Sequence, residues 1–482
     1  MTDTQQTSPS LFSVEHPLYK YWLAITLIVG MLMMAMDWGM MQVAVPKIMV
    51  ALKINMDKTA WLITAPMIVS TVITPMAGWL SSLLGVRRLY VISSVISIIG
   101  MVLCGFAWDA NSLITFRLLN SAGGGIRMPL SMAILFQTFP PDQRGLAMGI
   151  FMAGVTLGPS LAPTLGGYII DEVSWRAIFY ATIPFGVVSL ALFLFLIPKQ
   201  VEPKRQMSID IVGLISMATF LTALSLALTQ GREEGWDSTY IQTLFTTASI
   251  GFIVFIITEL KVKNPVVDLK LFRNIPFAMA CTVRFMNGLE FMGMNFLVSI
   301  FIQRVLGYTP YQAGILMLPS AIVSSFTGLI AGRLSDKIDS RLLVIAGLGL
   351  TSLALYRFSF VTVWTTTAMI VMLLTAKAGS RAFLMTPISN AALRVLPPEK
   401  VTMGSGFLSV MMILGGIVGF GLTGYLFVSL QSHHSILYGQ NHNLSLITRE
   451  AVPTLKDVFR RAGDMGDLAQ IKSFAYLRAY FA

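Results

Sequence analysis

Apolar residues fall along this chain in repeated blocks of about 20, the length that crosses a bilayer as an α-helix. Short stretches rich in charge, glycine and proline separate them. Bounded by those breakers, thirteen spans are predicted, at 21–45, 59–83, 89–107, 112–138, 146–170, 177–197, 209–229, 240–260, 275–303, 310–333, 341–361, 364–391 and 405–430. The pattern predicts an all-α polytopic membrane protein. The polar N-terminus leads into a first block that is too long for a secretory signal and has no small-residue cleavage site, so it is kept as the first span. From Gln431 onward the chain is polar and closes with an amphipathic segment, Ala469 to Ala482.

Composition agrees with that reading. Of 482 residues, 55% are hydrophobic and 12% charged, about half the charged share of a soluble domain, which excludes a cytoplasmic enzyme. Lys and Arg number 34 against 23 Asp and Glu, a formal charge of +11. In a membrane protein such an excess belongs to cytoplasmic loops rather than to nucleic-acid binding. With the N-terminus in the cytoplasm, sixteen basic residues fall in inner loops and six in outer loops up to residue 430, which supports that orientation. Cys104 and Cys281 both sit inside apolar blocks, and neither a GxxxxGK[ST] phosphate loop nor an HExxH motif is present. No disulfide framework, ATP-driven step, metal site or other cofactor is therefore expected.

Two internal echoes organise the spans. The loop Gly78-Trp79-Leu80-Ser81-Ser82-Leu83-Leu84-Gly85-Val86-Arg87-Arg88 matches, in type and register, Gly332-Arg333-Leu334-Ser335-Asp336-Lys337-Ile338-Asp339-Ser340-Arg341. The stretch MPLSMAILFQTFPPDQRG at 128–145 is echoed by TPISNAALRVLPPEKVTMG at 386–404, with one residue of slippage. Two echoes in the same order indicate a duplicated bundle, a common plan for transporters.

On these motifs the chain resembles the major facilitator superfamily, and within it the fourteen-span drug/proton antiporter family, over nearly its whole length. Gly78 to Arg88 is similar to the superfamily's loop motif after span two, and its Gly78, Ser82, Gly85, Arg87 and Arg88 take the gating role that the motif implies. The fifth-span motif is matched by GVTLGPSLAPTLGG, with Gly154, Gly158, Pro159, Pro163, Gly166 and Gly167; such a helix packs closely and can bend. Met36 to Pro46, with Asp37, resembles the first-span motif, Arg117 to Gly123 the fourth-span motif, and Trp175 to Phe179 the tract entering span six. There are departures. Ser82 replaces the family's loop aspartate, although its second-repeat counterpart Asp336 is kept, and Ala162 replaces a glycine of the fifth-span motif. Losing one charged latch puts gating by the first loop in doubt.

The resemblance implies the major facilitator fold of two six-helix bundles with two extra linking helices. It divides the chain into a cytoplasmic segment 1–20, an N-terminal bundle 21–197, a linker with two spans 198–260, a C-terminal bundle 261–430 with five spans seen, and an extracytoplasmic segment 431–482. A fourteenth span is expected to be missing from the chain as given; a natural thirteen-span protein is the alternative. The implied location is the bacterial cytoplasmic (inner) membrane. Some relatives work with a periplasmic adaptor protein, and such a partner stays open.

Seven ionisable residues fall well inside spans: Asp37, Arg117, Arg127, Arg284, Glu290, Lys377 and Arg381. They occupy spans one, four, nine and twelve, which the resemblance makes cavity-lining helices. A charge at mid-membrane costs about 2.5–3.5 kcal/mol, so seven unpaired ones would cost roughly 20 kcal/mol. Five are basic and two acidic. Even if Asp37 takes Arg127, and Glu290 takes Lys377 or Arg381, three cations remain for water or an anion. Lys377 and Arg381 are four residues apart, so they share a helix face about 6 Å apart and repel. A like-charged pair of that kind suits an anionic head group.

These residues predict a proton-coupled secondary exporter that is not an enzyme. Asp37, with Glu290 as second candidate, carries the proton. Arg127, Lys377, Arg381, Arg284 and Arg117 hold an amphiphilic small molecule or drug, anionic or zwitterionic, in a cavity whose methionines, from a total of 30, can adapt to varied shapes. The alternatives are a lipid or lysolipid exporter or flippase of the same fold, and a non-transporting sensor or scaffold.

Overall fold

The structure is a computed structural model that describes residues 16, 18–54, 56–197, 210–262, 265–362 and 364–441. The N-terminal segment up to residue 15, residues 198–209 of the linker, and 442–482, where the approach to a fourteenth span is expected, lie outside the described residues.

Among the described residues the chain is helical throughout, without strands. In order the helices are α1 (Tyr19–Leu52), α2 (Met56–Ile73), α3 (Ala77–Leu84), α4 (Val86–Gly105), α5 (Ala110–Thr138), α6 (Arg144–Glu172), α7 (Ala177–Leu196), α8 (Ile211–Glu234) and α9 (Thr239–Lys261). They continue as α10 (Ile275–Ile300), α11 (Pro310–Lys337), α12 (Ser340–Phe358), α13 (Thr367–Arg394) and α14 (Val401–Asn441). Helices α2 and α3 make up the second predicted span, joined by a 3₁₀ turn at Thr74–Met76. Eleven segments are long and apolar enough to cross a membrane. Helices α5 and α6 reach span length too, and in α5 Arg117, Asn120, Arg127 and several glycines dilute the apolar character. The first and last helices overrun their predicted ends at 45 and 430. By contacts, residues up to Phe420 form one compact unit; Gly421 begins a second, described here as helix to Asn441.

Local chemistry fixes the helix ends. Asp109 opens α5 through a capping box with Ser112, whose backbone N–H donates to Asp109 Oδ1 at 2.7 Å. Hydrogen bonding to Ser112 holds the Asp109 carboxyl below the usual carboxylate range. Thr309 and Gln312 cap α11 in the same way. Gly85 stands between α3 and α4 at φ 80°, a conformation that an L side chain rarely adopts, which accounts for glycine at this place in the loop motif. Pro129 inside α5 cannot bond to the carbonyl four residues back, and Thr74 Oγ1 stands 3.1 Å from that Gly125 oxygen.

In the first half, α1 packs on α6 and α7, α4 on α5 and α7, and α2 on α5. In the second half, α13 is central, with α10, α11 and α12 against it. The two halves meet chiefly where α6 lies along α11, and α8 and α9 form a hairpin beside α2. Along the α6–α11 seam, a Cβ added to Gly332 would strike the Gly145 carbonyl, and one on Gly145 would strike Gly332 in return. Small residues let two backbones approach this closely. Gly332→Val should therefore push the helices apart, with an overpacking cost of about 1–3 kcal/mol, read as a lower unfolding temperature in detergent; an unchanged midpoint would show that the seam tolerates a side chain.

Candidate functional site

All seven ionisable residues expected inside the bilayer lie on four helices, α1, α5, α10 and α13, and the structure sorts them into two ion pairs and three cations with no carboxylate at ion-pair distance. In the first half, Arg117 Nη1 on α5 meets Asp37 Oδ1 on α1 at 3.1 Å, with both side chains buried. The Arg117 Nε–H donates to the Leu62 carbonyl at 3.0 Å, and Asn120 Nδ2 donates to Asp37 Oδ2 at 3.3 Å. Asn120 is three residues from Arg117 and so shares its helix face.

This corrects one expectation: the partner of Asp37 is Arg117, not Arg127. Arg127 lies ten residues, about 15 Å, further along α5. One turn back along α1 from Asp37, Arg127 Nη1 meets the Met33 thioether at 3.9 Å. Its Nε and Nη2 have no hydrogen-bond partner, although the residue is only 1% exposed.

The second half repeats the plan with different residues. Lys377 on α13 pairs with Glu290 on α10 at 2.9 Å, with the lysine buried and the glutamate partly buried. Arg284, 1% exposed, directs Nη1 at the sulfurs of Met385, at 3.0 Å, and Met412, at 3.7 Å, while its Nε and Nη2 lack partners. In one half the buried arginine is on the fourth helix and the methionine on the first; in the other half the arginine is on α10 and the methionine on α13.

Arg381 is the third such cation. Its Nε–H donates to Asn287 Oδ1 at 3.2 Å, and its guanidinium lies 3.6 Å from the centre of the Phe291 ring. The expected joint clamp of Lys377 and Arg381 is thus divided: both are answered by α10, one by a carboxylate and the other by an amide and a ring. A guanidinium that meets only a thioether gains little, because sulfur is a weak acceptor. Arg127 and Arg284 therefore keep hydrogen-bonding capacity that an anionic oxygen would satisfy.

The gating motifs occupy one end of the bundles. Asp336 accepts from the backbone N–H groups of Gly145 at 2.7 Å and Leu146 at 2.9 Å, at the start of α6, where a carboxylate is favoured by the free N–H groups and the helix dipole. Arg394 Nη2 reaches the same carboxylate at 2.7 Å and the Pro141 carbonyl at 3.0 Å. One aspartate thus joins α11, α6 and α13. Ser82, at the matching place in the first repeat, donates to the Trp79 carbonyl at 2.7 Å, a bond within its own helix. Nearby, a Cβ on Gly78 would collide with the Met403 backbone, so α3 and α14 also touch closely. Arg87 Nη2 donates to the Leu194 carbonyl at 3.3 Å, and Arg88 is exposed.

In the fifth-span motif, Gly154, Gly158 and Gly166 turn towards Ile28, Ala35 and Met40 of α1, so the glycine face of α6 lies along the helix that bears Asp37. Gly167 is buried, and Pro159 and Pro163 also lie on α6. Sequence reasoning did not single out Asn120, Asn287 or the three methionines at the arginines. Asn120 stood three residues from Arg117 in a quoted motif, whereas nothing in composition marks which of 30 methionines meets a cation.

Comparison with known proteins identifies the family and the fold. Residues 27–210 and 280–438 match the Major Facilitator Superfamily. Multidrug export protein EmrB of Haemophilus influenzae is 30% identical over 420 residues, covering 86% of this chain and 82% of that protein. Multidrug resistance protein Stp of Mycobacterium tuberculosis is 30% identical over 414 residues, covering 84% and 76%. The crystal structure of the human organic anion transporter MFSD10 (TETRAN) superposes with a TM-score of 0.59 at 13% identity, over 85% of this chain and 93% of that one, a likeness of fold alone.

Removing one member of a buried pair strands the other charge, at about 3–5 kcal/mol. Asp37→Ala should thus lower the unfolding temperature more than Asp37→Ala combined with Arg117→Met; equal losses would mean the pair is not coupled. Asp336→Asn should make a thiol reagent label Leu146→Cys faster than in the parent, and equal labelling would remove the latch role.

Proposed function

The chain belongs to the major facilitator superfamily, and from that premise we propose that it is a proton-coupled exporter of an amphiphilic drug-like molecule whose polar end is anionic or zwitterionic. Export of drugs is supported by the names of the relatives, a multidrug export protein and a multidrug resistance protein. The observation that carries the substrate class is the pair of fully buried guanidiniums, Arg127 and Arg284, each with two nitrogens left without partners.

Protons act at the carboxylates. With Asp37 ionised, its bonds from Arg117 and Asn120 tie α1 to α5. A proton on Asp37 removes the charge that Arg117 answers, frees that guanidinium, and loosens α1 against α5 and the glycine face of α6. Glu290 and Lys377 offer the same step between α10 and α13. Arg127, Arg284 and Arg381 take the anionic head group, because an ionised acceptor bonds more strongly than a thioether or an amide. Lys377 and Arg117 join them once their carboxylates are protonated. Methionines beside the arginines pack the apolar tail, since a flexible thioether fits varied shapes. The end closed by Asp336 is the cytoplasmic one in this reading, and the membrane is the bacterial cytoplasmic membrane with the N-terminus inside. A periplasmic adaptor remains a partner to test by co-purification.

The test uses proteoliposomes with an imposed pH gradient and records proton flux as anionic, zwitterionic and cationic amphiphiles of equal tail length are added. Flux should follow the anionic or zwitterionic compounds and fall at least tenfold in Asp37→Asn. Flux unchanged in Asp37→Asn would overturn the coupling assignment, and flux with cations alone would overturn the substrate class.

A further inference from the structure

Away from the central charges, two carboxyl groups face each other where the linking helices meet the second half. Asp210 precedes α8, and its Oδ1 accepts from the Gly213 N–H at 2.8 Å as the helix cap. Glu259 lies in the last turns of α9, and its Oε2 accepts from the Val267 N–H at 3.3 Å. Asp210 is 7% exposed and Glu259 3%. Each carboxyl therefore has one oxygen bonded to backbone, and the remaining two, Asp210 Oδ2 and Glu259 Oε1, are buried without a hydrogen-bond partner.

Both of these oxygens point into one gap. The Cβ that Gly213 lacks would run into Asp210 Oδ2 and would stand 3.1 Å from Glu259 Oε1. The charged neighbours acting on Glu259 are Asp210 and Asp268, both acidic. Asp268 is itself answered by Lys400, at 2.6 Å. Helix α2, which packs on α8, carries its charged residues Asp57 and Lys58 in its first turn, at the other end of the bundle. No cation among the described residues reaches Asp210 Oδ2 or Glu259 Oε1. Two ionised carboxylates cannot share a buried gap without a counter-charge, because each is desolvated and repelled by the other.

We propose that Asp210 and Glu259 bind one proton between them in the gap left by Gly213, forming a proton site separate from Asp37 and Glu290. The proton is carried on one carboxyl and donated to the free oxygen of the other, which satisfies both orphaned atoms at once. Losing it sets two negative charges face to face and separates the start of α8 from the end of α9. Val267 hangs on Glu259, and the next residue, Asp268, holds Lys400 just before α14. Deprotonation on the linker is thereby passed to the first turn of α14, beside the close contact of Gly78 and Met403. The ligand is a proton, and the site makes the packing of the linking helices sensitive to pH.

Infrared difference spectroscopy of the purified full chain, titrated with alkali, tests this directly. A protonated-carboxyl band should be present at neutral pH and disappear as pH rises. It should be missing in Glu259→Gln and in Asp210→Asn, and persist in Asp37→Asn. Because the folded pair keeps a proton that unfolded carboxyls release above about pH 4, the unfolding temperature should fall with rising pH, and Glu259→Gln should flatten that fall. Absence of the band, its survival in both variants, or stabilisation by sodium, potassium or calcium chloride in place of the proton would each overturn the proposal. These readouts need no transport, so they can fail while the export reading stands.

Discussion

Five cations and two carboxylates share the inward faces of four helices, and that imbalance governs what the bundle can do. Water and lipid cannot both be excluded from a charge without cost, so each of the two carboxylates takes one base, Arg117 or Lys377. Arg381 settles on an amide and an aromatic face. Arg127 and Arg284 are left among methionine sulfurs, and they supply the positive field that a substrate would meet. The same pairs hold α1 to α5 and α10 to α13, so in the proposed exporter the carboxylates assigned to the proton are also the groups that fasten these helices. Coupling a proton to a change of packing requires that overlap.

The two halves are related but not interchangeable. Carboxylates occupy the first helix of each half and their bases the fourth, while the arginine and methionine exchange helices between halves. At one end, Asp336 caps α6 across the seam and holds Arg394 of its own half, whereas Ser82 also bonds within its own helix. The Asp336 loop thus carries a charged contact, and Gly78 packs closely against Met403.

Much of this was legible in the sequence, because a membrane makes the apolar pattern strict. Block length and breakers marked the helices in order, and counting charges within blocks showed that three cations would be left over. Pairing was harder to read. Arg127 was offered as a partner of Asp37 across the first bundle, but two antiparallel helices bring Asp37 level with Arg117 and Met33 level with Arg127, and that register depends on side-chain packing along α1 and α6 rather than on composition. Asp210 and Glu259 escaped notice for a related reason. At span ends a carboxylate reads as solvated, and only the fold shows that Gly213 and Val267 enclose it. Sequence spacing reports which residues share a face, while the neighbour across the gap comes from the packing.

The central claim is that the residual charge on α1, α5, α10 and α13 is positive and can be answered by an anion. Equilibrium binding to the purified protein, for three amphiphiles with one tail and an anionic, a zwitterionic or a cationic head, measures that directly. A bond from a buried guanidinium to an ionised head is worth about 1.5–3 kcal/mol, so the anionic compound should bind tightest, and Arg127→Gln with Arg284→Gln should weaken it at least tenfold while leaving the cationic compound unchanged. Tighter binding of the cationic compound, unaffected by those substitutions, would show that the guanidiniums are neutralised within the protein.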